Sequence, residues 1–440
     1  MKRAGEMLSE LGLTSIDQLF EDIPPEVRIN GLHLPAGISE AEVLREIRTM
    51  MAMNLDAEGR PCFLGAGIYN HFIPSAVKTI VTRSEFITSY TPYQPEISQG
   101  LLQALFEYQS YIAELTGLEA VNSSNYDAST ALGEAATMCM RLNERKRFLI
   151  PEAMNWEKKS VLQNYCSGPG IEVVEYSYDP YTGELDLEDL RAKVTPDTSG
   201  IYVEVPNFFG VIDSHAPLLK KEFPEAALVV GVNPISLGIL KAPGDYGADI
   251  CIGEGQPLGI PMNFGGPLLG IFACRQEHVR KMPGRVIGMT KDAEGERAFC
   301  MTLQTREQHI RRSKATSNIC TNEALLAVAA AAYLGILGRE GLRTLAKINI
   351  SRARKLQALI DQLDGFDSPI FDSYHFNEFV IRTPLRPEKL NKLLLRKGIL
   401  GGLPLHRHIR QLPDHMLLCA TELTSDEDME RLISALKEVV

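Results

Sequence analysis

The spacing of hydrophobic residues changes near residue 120. Before that point apolar residues recur every three or four positions, which predicts amphipathic helices. In "EISQGLLQALFEYQSYIAELTG", six of them share one predicted face, and Gly117 provides a C-terminal stop. These six are Leu101, Leu102, Leu105, Tyr108, Ile112 and Leu115. Ser39 and Glu42 predict a capping box at the start of an earlier helix, whose apolar stripe is Val43, Leu44, Ile47, Met50 and Met51.

From about 120 to 275, short apolar or β-branched runs alternate with helical stretches. Several of these runs are continuously hydrophobic, which is typical of strands covered on both faces. The pattern therefore predicts a mainly parallel sheet with helical crossovers. The runs are "RFLIP", "IEVVEYS", "GIYVEVP", "ALVVGV", "ADICIG" and "LLGIFAC".

After residue 320 a long helix is predicted, with a break at "GREG". A strand-helix-strand pattern and a final helix follow, in "FNEFVIRT", "EKLNKLLLRKG", "HMLLCAT" and "DEDMERLISALKEVV". We therefore predict three parts: an N-terminal helical segment (1–60), a large α/β domain (61–325) and a smaller C-terminal α/β domain (326–440).

Composition excludes several classes of function. The 440 residues carry a net charge of -11, which disfavours nucleic acid as a partner. The basic runs "RLNERKRF" and "EHVRKMPGR" are short and are interpreted as solvated faces. The eight cysteines contain no CxxC pair, which favours buried thiols in a reducing compartment. No apolar run suits a signal peptide or a membrane span, so we expect a cytoplasmic protein with no membrane partner.

One loop has the setting of an active site without the expected residue. "GADICIGEGQPLGIPMNFGGP", residues 247–267, predicts a buried strand followed by a glycine-rich loop. Such a loop often presents a nucleophile or a cofactor-binding lysine, but here the residue in that position is Gln256. An amide forms no Schiff base and is a poor acid or base. The alternative is that Gln256 is a loop residue with no role.

Four longer segments resemble one family. They are "YTPYQPEISQGLLQALFEYQ", "EVPNFFGVID", the Gln256 loop and "LQTREQHIRRSKATSNICTNEALLA". They are similar to the glycine cleavage system P protein, a glycine decarboxylase with the fold-type I architecture of pyridoxal-phosphate-dependent transferases. The length and "TSIDQLFEDIPPEVR" resemble the separate N-terminal-half subunit of split P proteins, the alpha chain or subunit 1.

This resemblance implies that the two halves of the enzyme have different roles. In the family the two halves are homologous, and the other half, the beta subunit, carries the lysine that binds pyridoxal phosphate. Together they decarboxylate glycine and pass the aminomethyl group to the lipoyl arm of H protein, with a functional link to the T and L proteins. The expected assembly is α2β2. This chain would then hold no cofactor and no metal, and would contribute no catalytic residue of its own.

Two further positions agree with that implication. The strand "ALVVGVN" ends in Asn233, where a fold-type I enzyme needs a carboxylate to keep the pyridine nitrogen protonated. The loop "NSSNYDASTALGEA" matches the phosphate cup at a helix N-terminus. It places Asp127 where a dianion would sit, and like charges ~4 Å apart repel by roughly 4 kcal/mol at a surface-like dielectric.

Two polar loops are candidates for a role in the partner's site. N-capping by Ser98 and Thr321 explains only one residue in each of "TPYQPEISQG" and "KATSNICTNEA". In fold-type I dimers, loops of one subunit complete the other's site, so the resemblance implies that these loops reach the beta subunit's cofactor. The candidate residues are Tyr93, Gln94, Glu96, Thr316, Ser317 and Asn318.

Other interpretations stay open. Lys241 could serve a self-sufficient pyridoxal-phosphate enzyme, such as an aminotransferase, although it precedes the strand rather than following it. The chain could also be a pure scaffold. In "HRHIRQLPDH" two histidines point one way on an extended segment, but no neighbouring carboxylate or cysteine completes a metal site. Surface or domain packing is the favoured interpretation for His406, His408 and His415.

Overall fold

The computed structural model describes residues 2–29, 31–54, 56–57, 59–89 and 91–438. Contacts within the chain group it into two units, Met1–Asp56 and Ala57–Val440. The described residues of the first unit contain two α-helices, α1 (Lys2–Glu10) and α2 (Glu40–Met51). The capping box predicted for α2 is confirmed, because the Ser39 N–H donates to Glu42 Oε2 (2.8 Å) and the Glu42 N–H donates to Ser39 Oγ (3.4 Å). The predicted boundary at 325/326 stays a prediction.

The second unit is built on a seven-stranded sheet. Its strands are β1 Ala120–Val121, β2 Arg147–Pro151, β3 Glu172–Tyr176, β4 Thr198–Val205, β5 Ala227–Val232, β6 Ile250–Glu254 and β7 Gly270–Cys274. Their order in the sheet is β1-β7-β6-β5-β4-β2-β3. The five strands β2 to β6 are parallel, while β7 and β1 form antiparallel pairs at one edge. All six predicted runs form strands of this sheet, so the mainly parallel α/β prediction is confirmed.

Eleven α-helices belong to this unit among the described residues. They are α3 Ser75–Val81, α4 Ser84–Ile87, α5 Gln99–Thr116, α6 Ala128–Asn143, α7 Trp156–Ser167, α8 Leu187–Lys193, α9 Leu219–Glu222, α10 Gln308–Arg311, α11 Ala324–Asp361, α12 Pro387–Arg396 and α13 Asp426–Lys437.

Both faces of the large sheet are covered, which explains the continuously apolar strands. In β5 alternate residues point to opposite faces: Leu228 and Val230 join the core that contains α5 and α11, while Ala227 and Val229 join the core that contains α6. The α5 stripe is buried except at Leu115, which is partly buried, and Gly117 ends the helix in the left-handed conformation.

Helix α11 is the one described helix long and apolar enough to cross a membrane by length and composition. It packs against α5 and α3 and contributes residues such as Ala327, Ala330 and Ala346 to the core. A core helix of this kind satisfies the same criteria as a membrane span. The predicted break at "GREG" is confirmed, because Gly338 has a non-helical backbone (φ 60°, ψ -174°).

A second, antiparallel sheet lies near the C-terminus. It contains β10 (Glu378–Arg382), β11 (Leu403–Pro404) and β12 (His415–Cys419), in the order β10-β12-β11. The predicted strand-helix-strand pattern is therefore present. A hairpin of β8 (Val286–Lys291) and β9 (Arg297–Thr302) is absent from the sequence prediction, because β8 buries only one of its six residues and β9 only two.

Candidate functional site

The loop after β6 places Gln256 in the interior, where the residue is 1% exposed. Its Oε1 accepts a hydrogen bond from the Tyr69 N–H (3.0 Å), and its Nε2 donates to the carbonyl oxygens of Tyr69 (2.9 Å) and Ile260 (2.7 Å). All three partners are backbone groups. The amide therefore fastens its own loop to the chain at Tyr69. A lysine could donate to the carbonyls but could not accept from the N–H.

The N-terminus of α6 is capped by two carboxylates. Asp127 Oδ1 accepts from the Thr130 N–H (2.7 Å), and Glu254 Oε2 accepts from the Ala128 N–H (3.1 Å). A helix N-terminus attracts anions through its free N–H groups and its dipole. Here that attraction is met by acidic side chains of the protein itself. The structure thus gives Asp127 a definite role, N-capping, at the position where the sequence predicts a conflict with a phosphate.

Asn233 directly follows β5, as predicted. Its Oδ1 accepts from the Ile235 N–H (3.0 Å), whereas its Nδ2 is buried without a hydrogen-bond partner among the described residues. The amide carries no negative charge that would hold a proton on a ring nitrogen.

Asn233 and Glu254 line one narrow cleft together with Tyr69, Lys158 and Glu378. Its cavity volume is about 60 Å³, room for only a few water molecules, whereas small-molecule sites usually measure about 300–1,000 Å³. The cleft of the glutamine loop is therefore nearly filled by the chain's own side chains.

The side chain of Glu378, from β10, occupies part of this cleft. It is buried, accepts from the Tyr69 hydroxyl (2.6 Å) and also accepts a short bond from the Ala66 N–H. Elsewhere in the cleft lining, Lys158 Nζ donates to Glu204 Oε1 (2.6 Å). Sequence reasoning missed Glu378, although a glutamate inside the apolar run "FNEFVIRT" was a signal that could have found it.

Two carboxyls of the cleft hold their protons unusually tightly. Burial raises the pKa of Glu254 to about 7, although the N–H groups of Leu269, Ala128 and Gln256 oppose the shift. Burial likewise raises the pKa of Glu378 to about 7, against the hydrogen bonds from Tyr69 and Ala66. Both groups therefore change protonation near neutral pH.

Pyridoxal phosphate does not fit this chain's cleft. No amine stands at position 256, the α6 N-terminus is closed by Asp127 and Glu254, and the cavity is several times too small. Lys241 is exposed and does not line the cleft.

The two predicted partner loops are held together by Arg285. Its guanidinium donates to the Tyr93 hydroxyl (3.2 Å), to the Cys320 carbonyl (2.7 Å) and to Asn322 Oδ1 (3.0 Å). Arg285 is buried, so interpreting "EHVRKMPGR" as a wholly solvated face was wrong at this residue. Since one cation bonds both loops, they form a single polar surface.

The six candidate residues differ in how accessible they are. The exposed ones are Tyr93 (42% exposed), Gln94, Glu96 and Asn318. Ser317 and Thr316 are half-buried and bonded within the chain: Ser317 Oγ donates to the buried Glu134 Oε1 (2.5 Å), and the Thr316 N–H donates to the Arg306 carbonyl (3.3 Å). Asn318 and the 93–96 turn are therefore the parts of this surface that a partner can reach.

N-capping does not account for the two loops. Ser98 does precede α5, but its side chain makes no capping hydrogen bond. The prediction for Thr321 is wrong, since α11 starts after Glu323.

The three C-terminal histidines face different neighbours. His406 Nε2 lies 2.9 Å from Glu388 Oε1, His408 stacks on Trp156 (ring centroids 3.6 Å apart), and His415 lies in β12. The three histidines are therefore not gathered around one point, which is consistent with the packing roles expected for them.

Among the described residues, the group with side chains close enough to share an ion is Glu184, Asp213 and His215. Backbone N–H groups already bond both carboxylates: the Leu185 N–H donates to Asp213, and the Ser214 N–H donates to Glu184. The acidic oxygens are thus already used in holding their own loops, and we assign no metal to them.

Comparison with known proteins identifies the family. The profile described as "Glycine cleavage system P-protein" matches residues 1–436. A Pyrococcus abyssi protein named "Probable glycine dehydrogenase (decarboxylating) subunit 1" is 49% identical, over 99% of this chain and 97% of that protein. A Desulforamulus reducens protein of the same name is 46% identical, over 98% and 96%.

Solved structures agree. A glycine decarboxylase (P-protein) crystal structure in inhibitor-bound form has a TM-score of 0.91 and 41% identity, covering 99% of this chain and 98% of that one. A sphingosine-1-phosphate lyase from Burkholderia pseudomallei shares only the fold, with a TM-score of 0.66, 16% identity and 94% of each chain covered. The predicted fold class, fold-type I pyridoxal-phosphate-dependent transferase-like, is confirmed. The chain belongs to the glycine cleavage system P-protein family.

Proposed function

We propose that this chain is subunit 1, or the alpha chain, of a glycine dehydrogenase (decarboxylating), and that it is the subunit without the Schiff-base lysine. The relatives that bear this name match it over almost their whole length. The single observation that carries the proposal is Gln256, which is buried and triply hydrogen-bonded in the loop where the resemblance requires the Schiff-base lysine of the other half. The glycine reaction then requires a second, lysine-bearing subunit, and pyridoxal phosphate is held there.

In this proposal the chain contributes a binding surface to the partner's site rather than catalytic residues. The loops tied together by Arg285 present Tyr93, Gln94, Glu96 and Asn318 outward. The hydroxyl of Tyr93 and the amides of Gln94 and Asn318 suit a cofactor phosphate, because they donate hydrogen bonds without adding negative charge, as the Glu96 carboxylate would. Thr316 and Ser317 hold the base of the same surface. These residues would orient the partner's cofactor and border the opening through which the lipoyl arm of H protein reaches it.

The proposed assembly is an α2β2 heterotetramer in the cytoplasm, serving glycine catabolism with the T and L proteins. Two alternatives make different predictions. A self-sufficient pyridoxal-phosphate enzyme would show an absorbance band near 420 nm in the purified chain. A pure scaffold would tolerate alanine at all the exposed loop residues.

The test is co-expression with a candidate lysine-bearing subunit, followed by an assay of glycine–bicarbonate exchange. Exchange should require both chains, and neither chain alone should support it. Exchange by this chain alone would refute the proposal, whereas failure of the two chains to assemble would refute the choice of partner.

A further inference from the structure

A cavity lies where α11 is interrupted, and the proposed function makes no use of it. Its walls are the last turns of α5, the segment that follows β5 and the two sides of the break at Gly338. The cavity volume is about 480 Å³, within the range of about 300–1,000 Å³ that is usual for small-molecule sites. Among the described residues it shares no lining with the cleft of Asn233 and Glu254. The chain therefore has room for a ligand at a second place.

Two glycines fix the walls of this cavity. A Cβ at Gly238 would lie 2.8 Å from the carbonyl oxygen of Leu342, so the segment after β5 rests directly on the backbone of α11. Gly338 has φ 60° and ψ -174°, a conformation that is essentially restricted to glycine. The cavity is thus shaped by the backbone rather than by the position of a mobile side chain.

One side of the cavity is an aliphatic wall. Leu334 and Leu342 belong to the main core and are 5% and 4% exposed, so this wall is held in place by the packing of the sheet. An aliphatic chain lying on the wall would leave water without requiring hydrogen bonds. The six aliphatic residues of the lining are Leu115, Leu237, Ile239, Leu240, Leu334 and Leu342.

Two arginines border the same cavity. Arg339 and Arg343 line it together with a single carboxylate, Glu114, so the lining is net positive although the whole chain carries -11. Arg343 pairs only loosely with Glu340, at 3.7 Å. The Arg339 side chain makes no ion pair or hydrogen bond within the part of the chain that the structure describes. Both guanidinium groups are exposed, and their planar fork matches the two oxygens of a carboxylate.

We propose that this cavity binds a small amphipathic carboxylate. The aliphatic chain of the ligand lies on the leucine wall, and its carboxylate bonds Arg339 and Arg343. A purely polar anion would leave the wall in contact with water, and a cation would be repelled by both arginines. The inference goes beyond the proposed function and does not depend on it, because every residue of the site belongs to this chain.

The first test is isothermal titration calorimetry of the full-length chain with straight-chain ligands. Octanoate should bind at one site per chain. Affinity should rise about fourfold per added methylene from butanoate to hexanoate to octanoate, the effect of burying each methylene. Octan-1-ol has the same chain without the charge and should bind at least about tenfold more weakly than octanoate, because it lacks the hydrogen bonds between two charged groups.

Substitutions of exposed residues identify the groups that bind the carboxylate. Arg339→Gln and Arg343→Gln should each raise the Kd of octanoate about tenfold or more. Arg354→Gln makes the same change on an exposed part of α11 outside the cavity, and should change the Kd less than about twofold. Glu114→Gln removes a repelling charge and should lower the Kd about two- to fivefold, the size of an exposed charge–charge contact. A merely structural role of Glu114 would not tighten binding.

Hydrogen exchange with and without octanoate locates the bound ligand. Peptides that cover residues 237–242 and 334–343 should gain protection, whereas the peptide that covers 250–257 should not change. The proposal is overturned if octanoate does not bind, if octan-1-ol binds equally well, or if Arg339→Gln and Arg343→Gln bind like Arg354→Gln. It is also overturned if the complex with the lysine-bearing subunit, or a self-associated form of the chain, no longer binds octanoate, because a protein surface then fills the cavity. None of these results bears on glycine–bicarbonate exchange by the two-subunit complex, so the proposed function is tested separately.

Discussion

Substituting the buried glutamine by the lysine it replaces should damage the chain without creating an active site. In Gln256→Lys the Tyr69 N–H loses its acceptor, and the ammonium group enters a position that is 1% exposed. An orphaned buried donor costs about 1–3 kcal/mol, and a buried charge adds to this or loses its proton. We therefore expect a loss of about 3–5 kcal/mol in the free energy of unfolding.

Calorimetry measures this loss. An unfolding entropy of about 2.1 cal/mol/K per residue over 440 residues gives about 1 °C per kcal/mol, so Tm should fall by about 3–5 °C. Gln362→Lys is the matched control, since Gln362 is exposed at the end of α11 and its replacement should leave Tm within about a degree. Incubated with pyridoxal phosphate, Gln256→Lys should gain no 420 nm band and no glycine decarboxylation. An unchanged Tm together with stoichiometric cofactor binding would refute our description of both the Gln256 hydrogen bonds and the filled cleft.

Three further predictions concern the loops, the buried carboxyl of Glu378 and the helix cap. In the two-subunit complex, Asn318→Ala should assemble normally yet bind pyridoxal phosphate about ten- to a hundred-fold more weakly, the effect of losing one hydrogen bond to a charged group. Asn164→Ala is the control, because Asn164 is exposed. If Asn318→Ala binds pyridoxal phosphate as tightly as the wild type, Asn318 is excluded from the site. Glu378 has a folded pKa of about 7 against an ordinary 4.5, so its contribution to stability falls as pH rises from about 4.5 to about 7. Glu378→Gln should therefore gain stability relative to wild type across that range, by roughly 3 kcal/mol at 1.36 kcal/mol per pKa unit. Denaturant titrations at about pH 5 and pH 8 measure the difference in free energy of unfolding between variant and wild type. An equal difference at the two pH values would contradict the prediction. Asp127→Ala should lower the free energy of unfolding by about 0.5–2 kcal/mol, whereas no loss would mean that the cap is not needed.

The sheet is predictable because its strands leave a strong one-dimensional signal. Continuous apolar runs such as β5 occur where both faces are covered, and the structure covers both. The β8–β9 hairpin gives a weaker signal, because it packs on α5 with only one buried residue in β8 and two in β9. The capping box at Ser39 is a local pattern that the sequence shows directly. The start of α11 depends on the Glu323 N–H and its bond to Ser124, 199 residues away, which no local pattern reveals.

The candidate site, like the fold, contains some residues that the sequence predicts and others that it does not. Gln256, Asn233 and Asp127 are visible in the sequence because the resemblance to the family matches them to positions of known role. Their neighbours Tyr69 and Glu378 come from distant parts of the chain, 309 residues apart, and only folding brings them to the cleft. The sequence therefore reveals that the Schiff-base lysine is absent, but not which side chains fill the cleft. Arg285 was assigned to the surface because a basic run does not reveal which of its charges is buried.

The central claim is that the cofactor of the enzyme resides on the partner and not on this chain. Borohydride reduction of the purified two-subunit complex with pyridoxal phosphate, followed by peptide mass spectrometry, tests it most directly. We predict one pyridoxyl-lysine per pair of subunits, located on the partner, and none on this chain. A stoichiometric adduct on Lys241, or on any other lysine of this chain, would contradict it.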